Sequence, residues 1–420
     1  MDILDILKKY NFWDKPILEL GYLRTRYFQQ ISHSLNNSLV KVILGQRRAG
    51  KSYLLRMIIH YLQHEMQVPS QNILYINKDL HDFAFITNRY VLMDVINQYQ
   101  SAMKPNGKIY LFLDEIQEIE EWEYVINSLS QDYTQQYEIV ITGSNANLLS
   151  SELATYLGGR YVECTVYPFS YAEYLDYKNL TRKKETFLHY LTMGGIPEIY
   201  HLAHIEMQQN YIATLKDSIV LRDIIHRHAI RDVYLLEKII DFLLDSVGSL
   251  FSISSVCDTL NKASANCNYE TISNYLRFLQ EAFFIHECER FDVKGKRILT
   301  GERKYYLNDL AFKYFSTSSF DMGLNRFLEN AIYLDLRRKG YSVYVGNMNN
   351  KEVDFVAEKA GERMYLQVAY LLNNENVLHR EFDNLAAIRD HYPKYVITLD
   401  DVNFGNREGI MHKQAWEFID

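Results

Sequence analysis

Proline, cysteine and tryptophan are scarce in this chain of 420 residues, which holds six prolines, four cysteines and three tryptophans. With so few prolines and only 18 glycines, disordered linkers are not expected and helices should be abundant. Cys164, Cys257, Cys267 and Cys288 show no C-x-x-C spacing, so neither a zinc site nor a disulfide framework is expected. No apolar run approaches the roughly 18 residues that would span a bilayer. The acidic start Met1-Asp2-Ile3-Leu4-Asp5 does not read as a secretory leader, so the expectation is a cytoplasmic protein with no membrane partner. Internal repeats and low-complexity segments are absent from the sequence. The net charge of −8 excludes a wholesale nucleic-acid coat but leaves room for a local basic patch. What remains is an ordinary globular composition, 48% hydrophobic and 23% charged, with 34 tyrosines. The length predicts roughly three domains at about 150 residues each.

One stretch organises the rest: Gly45, Gln46, Arg47, Arg48, Ala49, Gly50, Lys51, Ser52. An apolar run from Val40 to Leu44 precedes it and reads as a buried strand. Tyr53 to Ile59 follows and reads as a helix. Strand, glycine-bounded loop, Lys-Ser and helix together are the context of a phosphate-binding P-loop. The glycines let backbone N–H groups turn inward around phosphate oxygens, and the helix N-terminus adds partial positive charge. These eight residues and Tyr53 are therefore the candidates for binding ATP. Lys51 is placed to reach the β- and γ-phosphates, and Ser52 to offer its hydroxyl to Mg²⁺.

Downstream, Lys108 to Leu113 is an apolar strand ending in Asp114 and Glu115. A strand buried on both faces has no reason to end in adjacent acids unless they meet a cation or water. Asp114 suits the holding of hydrated Mg²⁺ opposite Ser52, and Glu115 suits a general base for the attacking water. Glu138 to Thr142 is a further strand. Thr142, Ser144 and Asn145 at its end are sensor candidates for the γ-phosphate, or a plain turn. Arg160, after Gly158-Gly159, is a candidate catalytic arginine finger in this or a neighbouring subunit, or one half of a structural ion pair. Arg24 and Arg26 read either as a clamp on the nucleotide or as solvated helix charges.

These pieces, with Trp122, Leu157 to Arg160, Tyr167 to Tyr174, Gly194 to Glu198, Leu221 to Ile225 and Arg227, resemble one prokaryotic family. It comprises AAA-type ATPases that carry a winged helix and a C-terminal restriction-endonuclease-like domain. The resemblance spans nearly the whole chain and implies ATP binding and hydrolysis, without naming a substrate.

The fold class expected is thus α/β: a P-loop NTPase parallel-sheet core with a helical lid, then a winged helix and a small α/β restriction-endonuclease-like domain. The expected boundaries are 1–167, 168–247, 248–318 and 319–420. In the lid, Arg222, Arg227 and Arg231 read as a phosphate contact or as partners of Asp223 and Asp232. In the winged helix, the stretch from Thr271 takes the recognition position, with Ile272, Tyr275, Leu276 and Leu279 as its apolar stripe. Thr271, Asn274 and Arg277, with Lys294, Lys296 and Arg297 of a basic wing, are the candidates for contacting DNA, unless the module contacts another protein. In the last domain Glu329 and Asp354 occupy the slots of a two-metal nuclease. Gln367 stands where a further carboxylate belongs and Ala369 where a lysine belongs, so cleavage is not expected unless Lys351 or Lys359 substitutes. The function expected is a Mg²⁺-dependent ATPase acting as a nucleotide-driven switch. Its alternative is a nucleotide-gated DNA- or protein-binding module.

Overall fold

The structure, a computed structural model, describes residues 2–17, 19–146, 156–262, 267–316, 323–349 and 351–420. It divides into two compact units, Met1–Val166 and Tyr167–Asp420. None of the described helices is long and apolar enough to cross a membrane.

The first unit is built on five parallel strands: β1 (Val40–Leu44), β2 (Ile73–Asn77), β3 (Ile109–Asp114), β4 (Tyr137–Gly143) and β5 (Tyr161–Thr165). Their order in the sheet is β2-β3-β4-β1-β5. Helices α1 (Ile3–Tyr10), α2 (Thr25–Ser32), α3 (Lys51–His64), α4 (Arg89–Met103) and α5 (Trp122–Ser130) accompany it. Strands covered on both faces must be apolar nearly throughout, and every residue of β1 and β3 is buried. Lys41 is the exception in β1, and it is neutralised by Glu138 of the neighbouring β4. Because all five strands run the same way, their C-terminal ends collect at one edge. Insertion of β4 sets the ends of β1 and β3 roughly 10 Å apart, at about 4.8 Å per strand, with Thr142 between them.

The second unit begins with α6 (Tyr171–Lys178), started by a capping box in which Ser170 and Glu173 bond each other's backbone N–H. Helices α7 (Lys184–Met193) and α8 (Ile205–Ser218) follow, and α8 runs on into a π-helical stretch, Ile219–His226. Next come α9 (Val233–Ser246), β6 (Leu250–Phe251), α10 (Ile253–Lys262) and α11 (Tyr269–Glu281), the last capped by Asn268. The hairpin β7 (Ile285–Asp292) and β8 (Arg297–Leu307) and the short α12 (Ala311–Ser316) complete this part.

Helix α13 (Leu324–Arg338) leads to β9 (Ser342–Met348), β10 (Lys351–Lys359) and β11 (Glu362–Ala369). Then come α14 (Glu375–Ala386), β12 (Lys394–Thr398), β13 (Asn406–Arg407) and β14 (Ile410–Gln414). All strands from β6 to β14 belong to one sheet, ordered β13-β14-β12-β11-β10-β9-β7-β8-β6. The join is β7 alongside β9 in parallel, with Phe291 opposite Gly346. The boundary expected at 318/319 lies outside the described residues; strands before and after it share one sheet, and the described parts of 168–247, 248–318 and 319–420 lie together in one unit. A second tie is Asp309, whose carboxylate accepts the N–H groups of Gly195 (2.7 Å) and Ala311 (2.8 Å). A Cβ at Gly194 would stand 1.9 Å from that carboxylate, so glycine is required there.

Candidate functional site

The loop between β1 and α3 turns at Gly45 with φ of +152° and at Gly50 with φ of +98°. A Cβ at Gly45 would lie 2.2 Å from the Val166 carbonyl oxygen, so this close approach admits only glycine. Within the loop Gln46, Arg47 and Ala49 are buried, while Arg48 is exposed and adopts φ of +66°. Arg47 lies 3.5 Å from Asp79. The Lys51 ammonium donates to the Gly45 and Gln46 carbonyls at 2.9 and 3.2 Å and lies 3.3 Å from a Glu115 oxygen. Arg24, one of the two upstream arginines, is buried; it donates to the Ala49 carbonyl at 2.9 Å and lies over the Tyr27 ring. It props the loop from behind and is not a solvated helix charge. Tyr53 is exposed, with the Arg56 guanidinium 4.1 Å above its ring.

The two acids at the end of β3 meet this loop. Asp114 is fully buried and accepts hydrogen bonds from the Thr142 hydroxyl and the Tyr75 hydroxyl (3.0 Å). Burial, reinforced by the charge of Glu115, raises its carboxyl above the usual carboxylate range against those hydrogen bonds. Glu115 takes the left-handed conformation, φ of +55°, a strained geometry for a non-glycine residue. Its backbone N–H donates to Thr142 at 3.0 Å, and Gln117 donates to its carboxylate at 2.5 Å. Burial would raise the Glu115 carboxyl, but Lys51, Arg47, Gln117 and Ser144 overcome it and hold it at about 2. Gln117 also donates to the Ser144 hydroxyl at 3.2 Å, and Asn145 is buried in the same turn.

A buried ammonium, two carboxylates and the hydroxyls of Thr142 and Ser144 thus share one sheet edge with the start of α3. Such a set can take up a polyphosphate on Lys51 and the α3 N-terminus. The Ser52 hydroxyl at the start of α3 and the Asp114 carboxylate at the end of β3 form a donor pair of the chemistry that suits a hydrated Mg²⁺. Thr142, Tyr75 and Gln117 bind both acids to the sheet. Of these, Tyr75 and Gln117 carried no role in the sequence reading, and neither residue type signals one.

Arg160 is not brought to this edge. Its carbonyl accepts the N–H of Val40, the first residue of β1, so it lies at the opposite end of the sheet from the P-loop. Five residues of strand, at about 3.3 Å each, separate the two ends. Its guanidinium donates to Asn127 of α5 at 3.1 Å.

In the second unit, Thr271 is drawn to the Asn268 cap, and Arg277 is paired with Glu281 at 2.8 Å and bonded to Asn274 at 3.5 Å. The hairpin's basic residues are mostly matched. Arg290 lies 3.5 Å from Glu302 and Arg297 4.0 Å from Asp292, Arg303 pairs with Glu287, and Lys294 and Lys296 are exposed. Lys304 is buried, 2.9 Å from Glu329 and 2.7 Å from Glu352. Burial would lower this ammonium, but Glu329, Asp354 and Glu352 together raise it above the ordinary lysine range. Burial and the charge of Glu329 push Asp354 well above the usual carboxylate range. Its carboxylate accepts the Val368 N–H at 2.7 Å. The lysine beside Glu329 and Asp354 thus comes from β8 and from neither Lys351 nor Lys359, whose ammonium donates to the Lys339 carbonyl. Among the described residues no group of three or more metal-ligating side chains is arranged to hold an ion.

The sequence model of an AAA domain matches residues 37–175, and that of a domain of unknown function matches residues 184–318. An uncharacterized protein of Haemophilus influenzae is 37% identical over 379 residues, covering 89% of this chain and 92% of its own. An uncharacterized protein of Methanocaldococcus jannaschii is 30% identical over 429 residues, covering 96% and 92%. Among solved structures, the Walker-type ATPase of Pyrococcus abyssi is similar over 70% of this chain and 95% of that one, at 16% identity and a TM-score of 0.43. The chain belongs to one family with these two relatives, and within it residues 37–175 are an AAA domain.

Proposed function

We propose that the protein is a Mg²⁺-dependent ATPase of the cytoplasm, in which ATP binding and hydrolysis switch the state of the second unit. The observation that carries this reading is the convergence of Lys51, Ser52, Asp114 and Glu115 at one edge of the first sheet. Gly45 to Gly50 and Tyr53 surround the nucleotide, and Lys51 moves from the loop carbonyls onto the β- and γ-phosphates. Ser52 and Asp114 would hold Mg²⁺, which when bound would supply neutralisation of phosphate charge. Departure of Lys51 from Glu115 removes the largest charge depressing that carboxyl, so nucleotide binding makes Glu115 a stronger base. Gln117, Ser144 and Asn145 report the γ-phosphate to the turn after β4. With Arg160 at the opposite end of the sheet and its guanidinium on Asn127, it is assigned either a structural role or a neighbouring copy's nucleotide. The test is a titration with fluorescent ATP, with and without Mg²⁺. Lys51→Ala should lose binding, and retention of full affinity would contradict the assignment.

The second reading, a nucleotide-gated winged helix that binds DNA, rests on Thr271, Asn274, Arg277, Lys294, Lys296 and Arg297. With most of the wing's charge internally matched, any duplex affinity should show a shallow salt dependence, equivalent to about two phosphate contacts. A steep one would restore the strongly basic wing. That matching favours a protein as the partner. The C-terminal segment is proposed to lack nuclease activity, because the Lys304 ammonium is taken up by Glu329 and Glu352. Plasmid incubated with Mg²⁺ or Mn²⁺ should stay uncut.

A further inference from the structure

Cys257 and Cys267 are ten residues apart, one on α10 and the other just ahead of α11. Their sulfur atoms stand 3.5 Å from each other. This proximity is held by Asn261, which bonds the Cys267 backbone twice: its Oδ1 accepts the Cys267 N–H at 2.9 Å and its Nδ2 donates to the Cys267 carbonyl at 3.0 Å. The same Asn261 amide lies 3.4 Å from the Cys257 sulfur, and the Cys257 thiol donates to the Cys267 carbonyl at 3.2 Å. One side chain thus fixes both cysteines in register across the connection between two helices. Cys257 is half-buried and Cys267 is buried. The other cysteines, Cys164 and Cys288, are buried on other elements, Cys164 in the first unit and Cys288 on β7.

We propose that Cys257 and Cys267 are a reversible disulfide site that staples α10 to the start of α11. The sulfurs need close by only about 1.5 Å to reach bonding distance, a movement within the reach of side-chain rotation. The oxidant named is a small-molecule disulfide. The more accessible Cys257 loses its proton and attacks one sulfur of that disulfide, forming a mixed disulfide and expelling one thiolate. Cys267 then loses its proton, attacks the Cys257 sulfur and expels the second thiolate. Two protein thiols and one small disulfide become one protein disulfide and two small thiols, so atoms and electrons balance. The greater exposure of Cys257 assigns it the first attack and gives the buried Cys267 the resolving role, in keeping with the upward push that burial and the hydrogen bond with Cys257 exert on the Cys267 thiol. Because α11 is the helix proposed above to face a partner, the staple would stiffen the element that precedes it. The chemistry stands whether or not that partner reading holds.

The experiment uses the full chain treated with glutathione disulfide, then alkylated in denaturant, digested and read by mass spectrometry. The expected result is a single Cys257–Cys267 cross-linked peptide, two of the four thiols lost, Cys164 and Cys288 still alkylated, and full reversal by dithiothreitol. In Cys267→Ser, a near-isosteric change, the glutathione adduct should persist on Cys257. Four alkylated cysteines after oxidation would overturn the proposal. So would a glutathione adduct that persists on Cys257 in the wild type, or a cross-link to any other cysteine.

Discussion

The buried pair Lys41–Glu138 sits on two adjacent strands of the first unit, and its removal is a severe test of how the sheet is held. Both residues are 1% exposed. The Lys41 ammonium bonds the Asn37 side chain at 2.8 Å, the Leu39 carbonyl at 2.7 Å and the Glu138 carboxylate. The other carboxylate oxygen accepts the Asn36 N–H at 2.8 Å and lies 3.4 Å from Lys108. Glu138→Ala leaves a buried ammonium with only neutral acceptors, a situation that costs about 3–5 kcal/mol. For a unit of this size that corresponds to a fall in Tm of about 6–20 °C, read by thermal unfolding. The pH dependence has a definite sign. Burial lowers the Lys41 pKa in the folded state even with Glu138 present. The unfolded chain therefore binds more protons, and stability rises with pH toward the ordinary lysine range, more steeply in Glu138→Ala. The double variant Lys41→Met/Glu138→Leu, which removes both charges, should recover most of the loss. A loss under about 1 kcal/mol in Glu138→Ala, or a double variant as unstable as the sum of its singles, would refute the reasoning.

Two further predictions follow from close approaches and trapped charge. Gly45→Ala should abolish nucleotide binding and lower Tm, because the new Cβ falls 2.2 Å from the Val166 carbonyl; binding at wild-type affinity would show that the loop is not confined as described. Lys304→Met leaves Glu329, Glu352 and Asp354 without their ammonium and should cost about 3–5 kcal/mol near pH 7. Since the Asp354 carboxyl is raised in the folded state, the loss should be smaller below the usual carboxylate range and grow as pH rises through the folded value, and a pH-independent loss would count against the charge cluster.

The nucleotide edge was legible because parallel strands buried on both faces must be apolar, so Asp114 and Glu115 stand out at the end of β3. Glycine at 45 and 50 was legible for a similar reason, since the turn excludes a side chain. Arg24 was not, because an arginine in an amphipathic stretch looks the same whether it faces water or a loop carbonyl. Nor was Lys304, because nothing local distinguishes a hairpin lysine facing water from one turned toward acids on α13 and β10. The pairing of β7 with β9 has no sequence signature, as parallel register is set by partners more than fifty residues away. Gln367 and Ala369 were read as standing in the metal and lysine slots from their positions on β11; the residue between them, Val368, donates its backbone N–H to Asp354. Cys257 and Cys267 were too far apart in sequence for any spacing rule to join them.

Phosphate release from Mg-ATP by the purified protein, compared with that of Glu115→Gln, tests the central claim most directly. The account predicts measurable turnover in the wild type and a loss of about 10²–10⁴-fold in the variant, with ATP affinity retained. Equal turnover in the two proteins, or none above background in either, would contradict it.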